Sequence, residues 1–521
     1  MIKTIFENDD ILVVDKPAGV PTHAPNHEKK GVVELLQEAR GFSLGVHQRL
    51  DEGTSGVLAF SKSKRGAEML SKAFELRDVR KYYYALVCGS PTDERGEWQH
   101  RLVHKTGLTV ADDAGKFAKA RYRVVARCEP YTLLELQLLT GMTHQLRVQC
   151  ALEGMPILGD ALYGGGEYAP RLCLHAHKLV LMSEKNLPHF IAPVPAFMQK
   201  PITEQLLSMI AKKVSEKVGP EVERDEAVRL CVPQHSGMPE VIVEKIADTL
   251  LVRHIEPNSS SLWNTSSLET LMRVACRAFD CRQSAYLVHE SPDGSKACRS
   301  FERVFKTHYA PFWASEHGIK YQFDLSSNAT GLYLDQRENR AWVLKHAHGA
   351  VINLFAYTCA FSLCAAKNPK TTSTLSIDAA KSALNKGREN FLENGFSLDG
   401  NRFIAEDALK YLERCAKNGT FFDTLICDPP SFGRAGKNVF SLDDVLEKLV
   451  LACVRVAAPQ ATLLFSINHR KIRLTRLRQA FDKALSTCGR ISKHYEAFVN
   501  DDACGPLGVG TDLKTVRIEL D

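Results

Sequence analysis

Closely spaced cysteines are missing from this chain. It carries 15 cysteines but no Cys-x-x-Cys pair, and none stand closer than the five residues separating Cys276 from Cys281. Most lie singly inside apolar stretches, as Cys88, Cys150, Cys364, Cys427 and Cys453 do. Neither a zinc site nor a disulfide framework is implied, and reduced, buried thiols are expected. The opening residues, Met1-Ile2-Lys3-Thr4-Ile5-Phe6-Glu7-Asn8-Asp9-Asp10, contain no apolar core of a secretory signal. The apolar segment from Leu449 to Phe465 is interrupted by Arg455, Pro459 and Gln460, so it is no membrane span. A cytoplasmic location is the expectation. There is no internal repeat and no biased tract, with 44% hydrophobic and 25% charged residues. Charge of one sign is scarce too. A net +6 permits a polyanionic partner without requiring one, so any such affinity must come from local patches.

What the chain does have is length. At 521 residues it exceeds one hydrophobic core, and two or three domains are expected. Up to about residue 200, β-patterned runs (Ile11–Val14, Val57–Phe60, Tyr82–Val87, Tyr122–Val125, Leu133–Leu139) outnumber helical ones (Ser63–Phe74, and Thr143–Glu153 closed by Gly154). Without regular alternation, this predicts an α+β domain with a mixed, largely antiparallel sheet. Pro193, Pro195 and Pro201 punctuate its end. The stretch 201–226, rich in Lys and Glu, reads as a linker that is helical in part. A small α+β segment follows over 227–322. From 323 to 521 strands alternate with helices: Val351–Ala356, Phe361–Lys367, Thr374–Ile377, Ala379–Asn394, Arg402–Ala405, Thr424–Cys427, Ala461–Ile467. Alternation means βαβ units, a parallel Rossmann-like α/β sheet and a ligand at the strands' C-terminal ends.

Asp51 stands in the run His47-Gln48-Arg49-Leu50-Asp51-Glu52-Gly53-Thr54-Ser55-Gly56. Such residues build turns, and they also aim a carboxylate into a cleft. The run resembles the signature His-Arg-Leu-Asp-x-x-Thr-Ser-Gly of RluA-type pseudouridine synthases, with Gln48 inserted. Four further runs resemble the same family: Asp15-Lys16-Pro17-Ala18-Gly19-Val20, Lys81-Tyr82-Tyr83-Tyr84-Ala85, Thr140-Gly141-Met142-Thr143-His144-Gln145-Leu146-Arg147-Val148, and the pair Pro156 to Gly164 and Arg171 to Ala176. The resemblance implies a cofactor-free isomerisation of uridine in RNA. Asp51 would act at the ribose, Tyr83 would stack on the flipped base and take part in proton transfer, and Arg147 would pair with Asp51 and keep it ionised. Arg49 would contact the substrate. Met142 replaces the family's arginine, which points to a different choice of RNA.

Three runs in the last third, Gly331-Leu332-Tyr333-Leu334-Asp335-Gln336-Arg337, Asn353-Leu354-Phe355-Ala356-Tyr357-Thr358 and Asp428-Pro429-Pro430-Ser431-Phe432, are similar to class I S-adenosylmethionine-dependent RNA methyltransferases of the RlmI/RlmK-like group. The preceding small domain looks like the one that leads into these enzymes and is often tied to RNA binding. Asn353, Phe355, Tyr357, Asp378, Asp407, Asp428 and Pro429 are the implied cofactor contacts. Asp378 is placed either to bond ribose hydroxyls or to cap the following helix. Asp428 is also the implied catalytic residue, with Phe432, Asn468 and Arg470 on the substrate side. Two features set the chain apart. Cys359 and Ala360 fill positions where relatives carry Gly or Cys-Gly, so close backbone approach to a cofactor is in question. The run Phe465-Ser466-Ile467-Asn468 lacks the cysteine that carbon-5 methylation of cytosine needs, which favours nitrogen methylation, with guanine, as in RlmK-like enzymes, the candidate base. The expected function is a bifunctional RNA-modifying enzyme acting on ribosomal RNA, with transfer RNA as the alternative, S-adenosylmethionine as the one cofactor, and no metal or membrane. An inactive methyltransferase-like module and an RNA assembly factor are the alternatives.

Overall fold

A computed structural model describes residues 2–24, 29–166, 169–184, 186–199, 203–218, 222–231, 237–238, 241–256, 263, 265–290, 310–325, 330–435, 438–469, 471–499 and 513–521. Arg470 lies outside them.

The first half is built on one eleven-stranded sheet. Its strands are β1 (Lys3–Glu7), β2 (Ile11–Lys16), β3 (Gly45–Val46), β4 (Ser55–Ser61), β5 (Val79–Cys88), β6 (Arg95–Lys105), β7 (Leu108–Ala111), β8 (Lys116–Cys128), β9 (Tyr131–Leu138), β10 (Leu174–Leu181) and β11 (Phe190–Ile191). The order is β1-β2-β4-β10-β5-β9-β8-β6-β7, with β3 on β4 and β11 on β10. Only the β10–β4 pairing is parallel, so the expected mixed, largely antiparallel sheet is what forms. Alternation of apolar residues puts Leu12, Val14, Leu58, Phe60, Tyr83 and Ala85 on one buried face and Ile11, Val13, Val57 and Ala59 on the other. Helices α1 (Val32–Arg40), α2 (Lys64–Glu75) and α3 (Gln145–Leu152) flank the sheet. Ser63 caps α2 by accepting from Gly66 N at 3.0 Å.

The stretch expected to be a linker is instead largely a packed helix, α4 (Thr203–Val218). Leu206, Leu207, Ile210, Ala211 and Val214 repeat at helical spacing, are buried, and share one apolar cluster with both the first sheet and the sheet that follows. That second sheet has the order β12 (Ala227–Cys231), β13 (Val241–Ile246), β14 (Thr249–Glu256), β15 (Gln283–Glu290), its last pair parallel and bridged by a helix, α5 (Thr265–Ala278). A hairpin, β16 (Phe312–Glu316) and β17 (Ile319–Phe323), leads into the last domain.

There the strands are β18 (Gly349–Leu354), β19 (Thr371–Asp378), β20 (Asn401–Ala405), β21 (Phe422–Cys427), β22 (Phe432–Ala435), β23 (Asn438–Ser441), β24 (Ala457–Asn468), β25 (Ser492–Val499) and β26 (Leu513–Leu520). β22 and β23 form a small hairpin of their own, and the other seven make a sheet of order β20-β19-β18-β21-β24-β26-β25. The first five of these run parallel and the last two antiparallel. The order reverses between β18 and β21, which opens a crevice at the C-terminal ends of those strands. Among the described residues, no helix is long and apolar enough to cross a membrane and no cluster of acidic, His or Cys side chains has the makings of a metal site.

Candidate active sites

Asp51 begins a tight turn in which Thr54 N donates to the Asp51 carbonyl at 3.0 Å. The residues on either side are pinned. Thr22 Oγ1 donates to the Leu50 carbonyl (2.9 Å) and accepts from Leu50 N (3.1 Å). The Glu52 carbonyl accepts from Lys16 Nζ at 3.0 Å and Gly19 N at 2.8 Å. Lys16 is fully buried, and burial pushes its ammonium down to about 8 although Asp51 and Glu52 pull the other way. The carboxylate therefore projects from a loop with little freedom.

Asp51 and its sequence neighbour Arg49 line one cavity of about 630 Å³ with the distant Tyr83 and Arg147 and with Gln48, Lys81, Met142 and His144. Tyr83 is buried on β5, and burial, with the Asp51 charge added, raises its phenol well above the ordinary tyrosine range. Arg147 does pair with Asp51, Nη1 donating to Oδ2 at 3.3 Å, and its guanidinium also forks onto Asp160, with Nε to Oδ2 and Nη2 to Oδ1 both at 2.7 Å. Asp160 is its main partner because the two fully buried carboxylate oxygens match the planar fork. His144 Nε2 stands 3.8 Å from Asp51 Oδ2. Asp160 and His144 stand inside the family-like runs Pro156 to Gly164 and Thr140 to Val148, and that position is the signal the sequence offers for them.

The second cavity, about 500 Å³, sits at the reversal between β18 and β21. Phe355, Tyr357, Asp378, Asp407, Asp428, Pro429 and Asn468 all line it, with Tyr333, Asp335, Gln336 and Glu406. Asn353 does not. It is buried within β18 and donates to Ser362 Oγ at 2.9 Å. Phe432 starts β22. Asp378 ends β19, and its oxygens accept from Tyr357 N (2.8 Å) and Ala380 N (2.7 Å). It therefore ties the loop after β18 to the start of the next helix, α6 (Lys381–Glu393), whose cap position is Ala380. Asp407 is itself a helix cap, accepting from Lys410 N at 2.9 Å. Each carboxylate keeps lone pairs for a ligand.

Asp428 lies just beyond β21. Its Oδ1 accepts from Gln336 Nε2 at 2.7 Å and Ser466 Oγ at 2.9 Å. Burial, reinforced by the Asp335 carboxylate, pushes Asp428 up to about 7. Asp335 Oδ2 accepts from Asn468 Nδ2 at 3.3 Å, while its buried Oδ1 has no hydrogen-bond partner. Cys427 is packed in the apolar core and does not line the cavity.

The missing glycines do not close this site. Phe355, Tyr357 and Cys359 all adopt left-handed backbone, with φ of 56°, 48° and 62°. The Cys359 side chain turns away from the cavity into the core and meets α6 at Gly387, where an added Cβ would lie 2.4 Å from Cys359 Sγ. The space usually kept by a glycine in the loop is kept here by a glycine on the facing helix. The residues present thus fit S-adenosylmethionine: acidic groups at the ends of β19 and β20 for ribose and base, and Asp428-Pro429 where a methyl group would be delivered.

Comparison with known proteins agrees with both geometries. Residues 10–152 match the RNA pseudouridylate synthase family. The dual-specificity RNA pseudouridine synthase RluA of Vibrio vulnificus is 36% identical over 201 residues, covering 35% of this chain and 78% of that protein. The chain belongs to the RNA pseudouridine synthase family. The ribosomal large subunit pseudouridine synthase D of Nitrosomonas europaea is 33% identical over 200 residues, covering 34% of this chain and 58% of that protein. Residues 239–486 of this pseudouridine synthase match a second family, S-adenosylmethionine-dependent methyltransferase. A solved methyltransferase, SMU.776 complexed with SAH, superposes with a TM-score of 0.51 at 19% identity, covering 61% of this chain and 81% of that one. That likeness is one of fold. The expected pairing of the two families in one chain is therefore correct.

Proposed function

We propose that this chain modifies RNA twice, isomerising uridine to pseudouridine at Asp51 and methylating a base at the Asp428 cavity. The observation that carries the reading is the convergence of Asp51, Tyr83 and Arg147, from three distant segments, on one cavity. Isomerisation breaks the bond from ribose C1′ to N1, rejoins C1′ to C5 and releases the C5 proton. The cavity holds a uridine extruded from its stack, an extrusion that costs a few kcal/mol. Asp51 faces the ribose as a carboxylate held by Arg147 and pinned at its backbone on both sides. Tyr83, kept protonated by burial, covers the base and enters as a hydrogen-bond donor.

In the second cavity, S-adenosylmethionine, when bound, supplies an electrophilic methyl group. Asp378 and Asp407 are placed to bind its ribose and base, and Pro429 fixes the backbone beside the transferred carbon. Asp428, Asp335 and Asn468 present oxygen acceptors to an incoming N–H edge, and no cysteine lines the cavity among the described residues. Nitrogen is therefore the methylated atom. Tyr333, exposed at the rim, offers a ring for the target base to stack on. Large-subunit ribosomal RNA is the proposed substrate, in line with what the printed name of the Nitrosomonas relative says of that protein. The test is to incubate the purified chain with ribosomal RNA carrying [5-³H]uridine and, separately, with methyl-labelled S-adenosylmethionine. Tritium release that depends on Asp51 and methyl incorporation that depends on Asp428 support the reading. Absence of either removes that half.

A further inference from the structure

His144 stands at the end of a directed chain of hydrogen bonds, 3.8 Å from the Asp51 carboxylate. Thr109 N on β7 donates to Tyr163 Oη at 2.9 Å. A backbone N–H can only donate, so the phenol oxygen accepts there. Its proton is then free for His144 Nδ1, 3.0 Å away. An imidazole that accepts at Nδ1 carries its proton on Nε2, and Nε2 is the atom 3.8 Å from Asp51 Oδ2. Two more bonds fasten the same corner: Thr109 Oγ1 donates to the Thr143 carbonyl at 2.7 Å and meets His104 Nδ1 at 3.0 Å. The histidine itself is held at φ 55°, left-handed backbone that non-glycine residues seldom adopt and that surrounding contacts must enforce. Tyr163 also lies under the guanidinium of Arg147, 5.2 Å from its ring centre.

We propose that His144 is a positioning residue, a neutral Nε2–H donor locked by Tyr163 and Thr109 that holds Asp51 Oδ2 opposite Arg147 for uridine isomerisation. The separation of 3.8 Å closes to a hydrogen bond once substrate fills the cavity, as catalytic contacts commonly tighten on binding. The groups facing His144 are Asp51, Arg147, Asp160 and His104. Burial keeps the imidazole neutral below the ordinary histidine range, against the pull of Asp51. The phenol's bond to Nδ1 needs the lone pair of the neutral ring, so it acts in the same direction. The hairpin of β6 and β7 thereby sets the orientation of a carboxylate it does not touch.

The inference rests on Asp51 being the isomerisation residue, and the test separates the two. Full-length protein would be assayed by tritium release from ribosomal RNA carrying [5-³H]uridine, as wild type and as Asp51→Asn, Tyr163→Phe, His144→Gln and His144→Ala, each checked for native thermal melting. Tyr163→Phe is expected to lower kcat roughly five- to tenfold with KM within about twofold, the effect of one lost hydrogen bond. It is also expected to move the acid limb of the kcat profile to higher pH, because His144 then protonates more easily. His144→Ala should lose more than tenfold, and His144→Gln, whose amide still donates, should recover most of that. Wild-type kcat in Tyr163→Phe and His144→Ala, or a lowered kcat with an unmoved acid limb, overturns the proposal while Asp51→Asn stays inactive. An active Asp51→Asn overturns the underlying reading instead.

Discussion

Replacing Asp160 by Asn tests how the first site is held together. Asp160 is fully buried and forks onto Arg147 at 2.7 Å twice, while Asp51 offers that arginine a single contact at 3.3 Å. Two opposite charges about 4 Å apart attract by about 4 kcal/mol at an effective dielectric near 20. Removing one partner of a buried pair usually costs about 3–5 kcal/mol, because the other charge stays behind uncompensated. Asparagine also turns an N–H₂ toward a guanidinium that can only donate. A loss of about 3 kcal/mol lowers the melting temperature of a unit of roughly 200 residues by about 6–12 °C. Scanning calorimetry at pH 7 would read this as an earlier first transition. The same variant should lose tritium release by at least tenfold, since Arg147 is then drawn onto Asp51 alone. A melting temperature within about 2 °C of wild type, with full activity, would refute the assignment of Asp160 as the arginine's anchor.

Further outcomes follow from the second cavity. Gly387→Ala drives a Cβ to 2.4 Å from Cys359 Sγ and should weaken S-adenosylmethionine binding in calorimetric titration by about tenfold. Adding Cys359→Gly should restore it, and failure of that rescue would separate Gly387 from the loop. Asp428 ionises near 4 in the unfolded chain and at about 7 when folded. Its contribution to stability is therefore complete below pH 4 and is lost as pH rises to 7. Asp428→Asn should melt higher than wild type at pH 8 and equally at pH 4; equal melting at both contradicts the raised value. Cys427→Ala should leave methyl incorporation within about twofold and no 5-methylcytosine should form, as expected for a thiol sealed in the core.

Much of this architecture was legible because it is local. The alternation in Ile11–Lys16 and Ser55–Ser61 and the strand–helix rhythm after Gly349 appear directly in the spacing of apolar residues. Asp51, Tyr83 and Arg147 were legible through motifs, and so was Asp428. Less legible was burial within the stretch 201–226, read as a linker helical in part, where Leu206, Ile210 and Val214 carry a helical stripe that finds a core. Asn353 lies inside β18 and gives its amide to Ser362, whereas Phe355, beyond the strand's end, lines the cavity. The dominant partner of Arg147 was not legible, since Asp160 reaches it only through tertiary packing. Nor was the exchange at Cys359, where the needed glycine sits 28 residues later at Gly387, on another element.

The central claim is that the carboxylate of Asp51 performs uridine isomerisation. Asp51→Asn keeps the shape of the side chain and the bond from Thr54 N to the backbone carbonyl of residue 51, and removes the charge together with one accepting oxygen. Tritium release from ribosomal RNA carrying [5-³H]uridine, with RNA binding measured on the same preparation, is the direct measurement. The account predicts release reduced to background with RNA affinity within about threefold of wild type. Release at the wild-type rate from Asp51→Asn would contradict it.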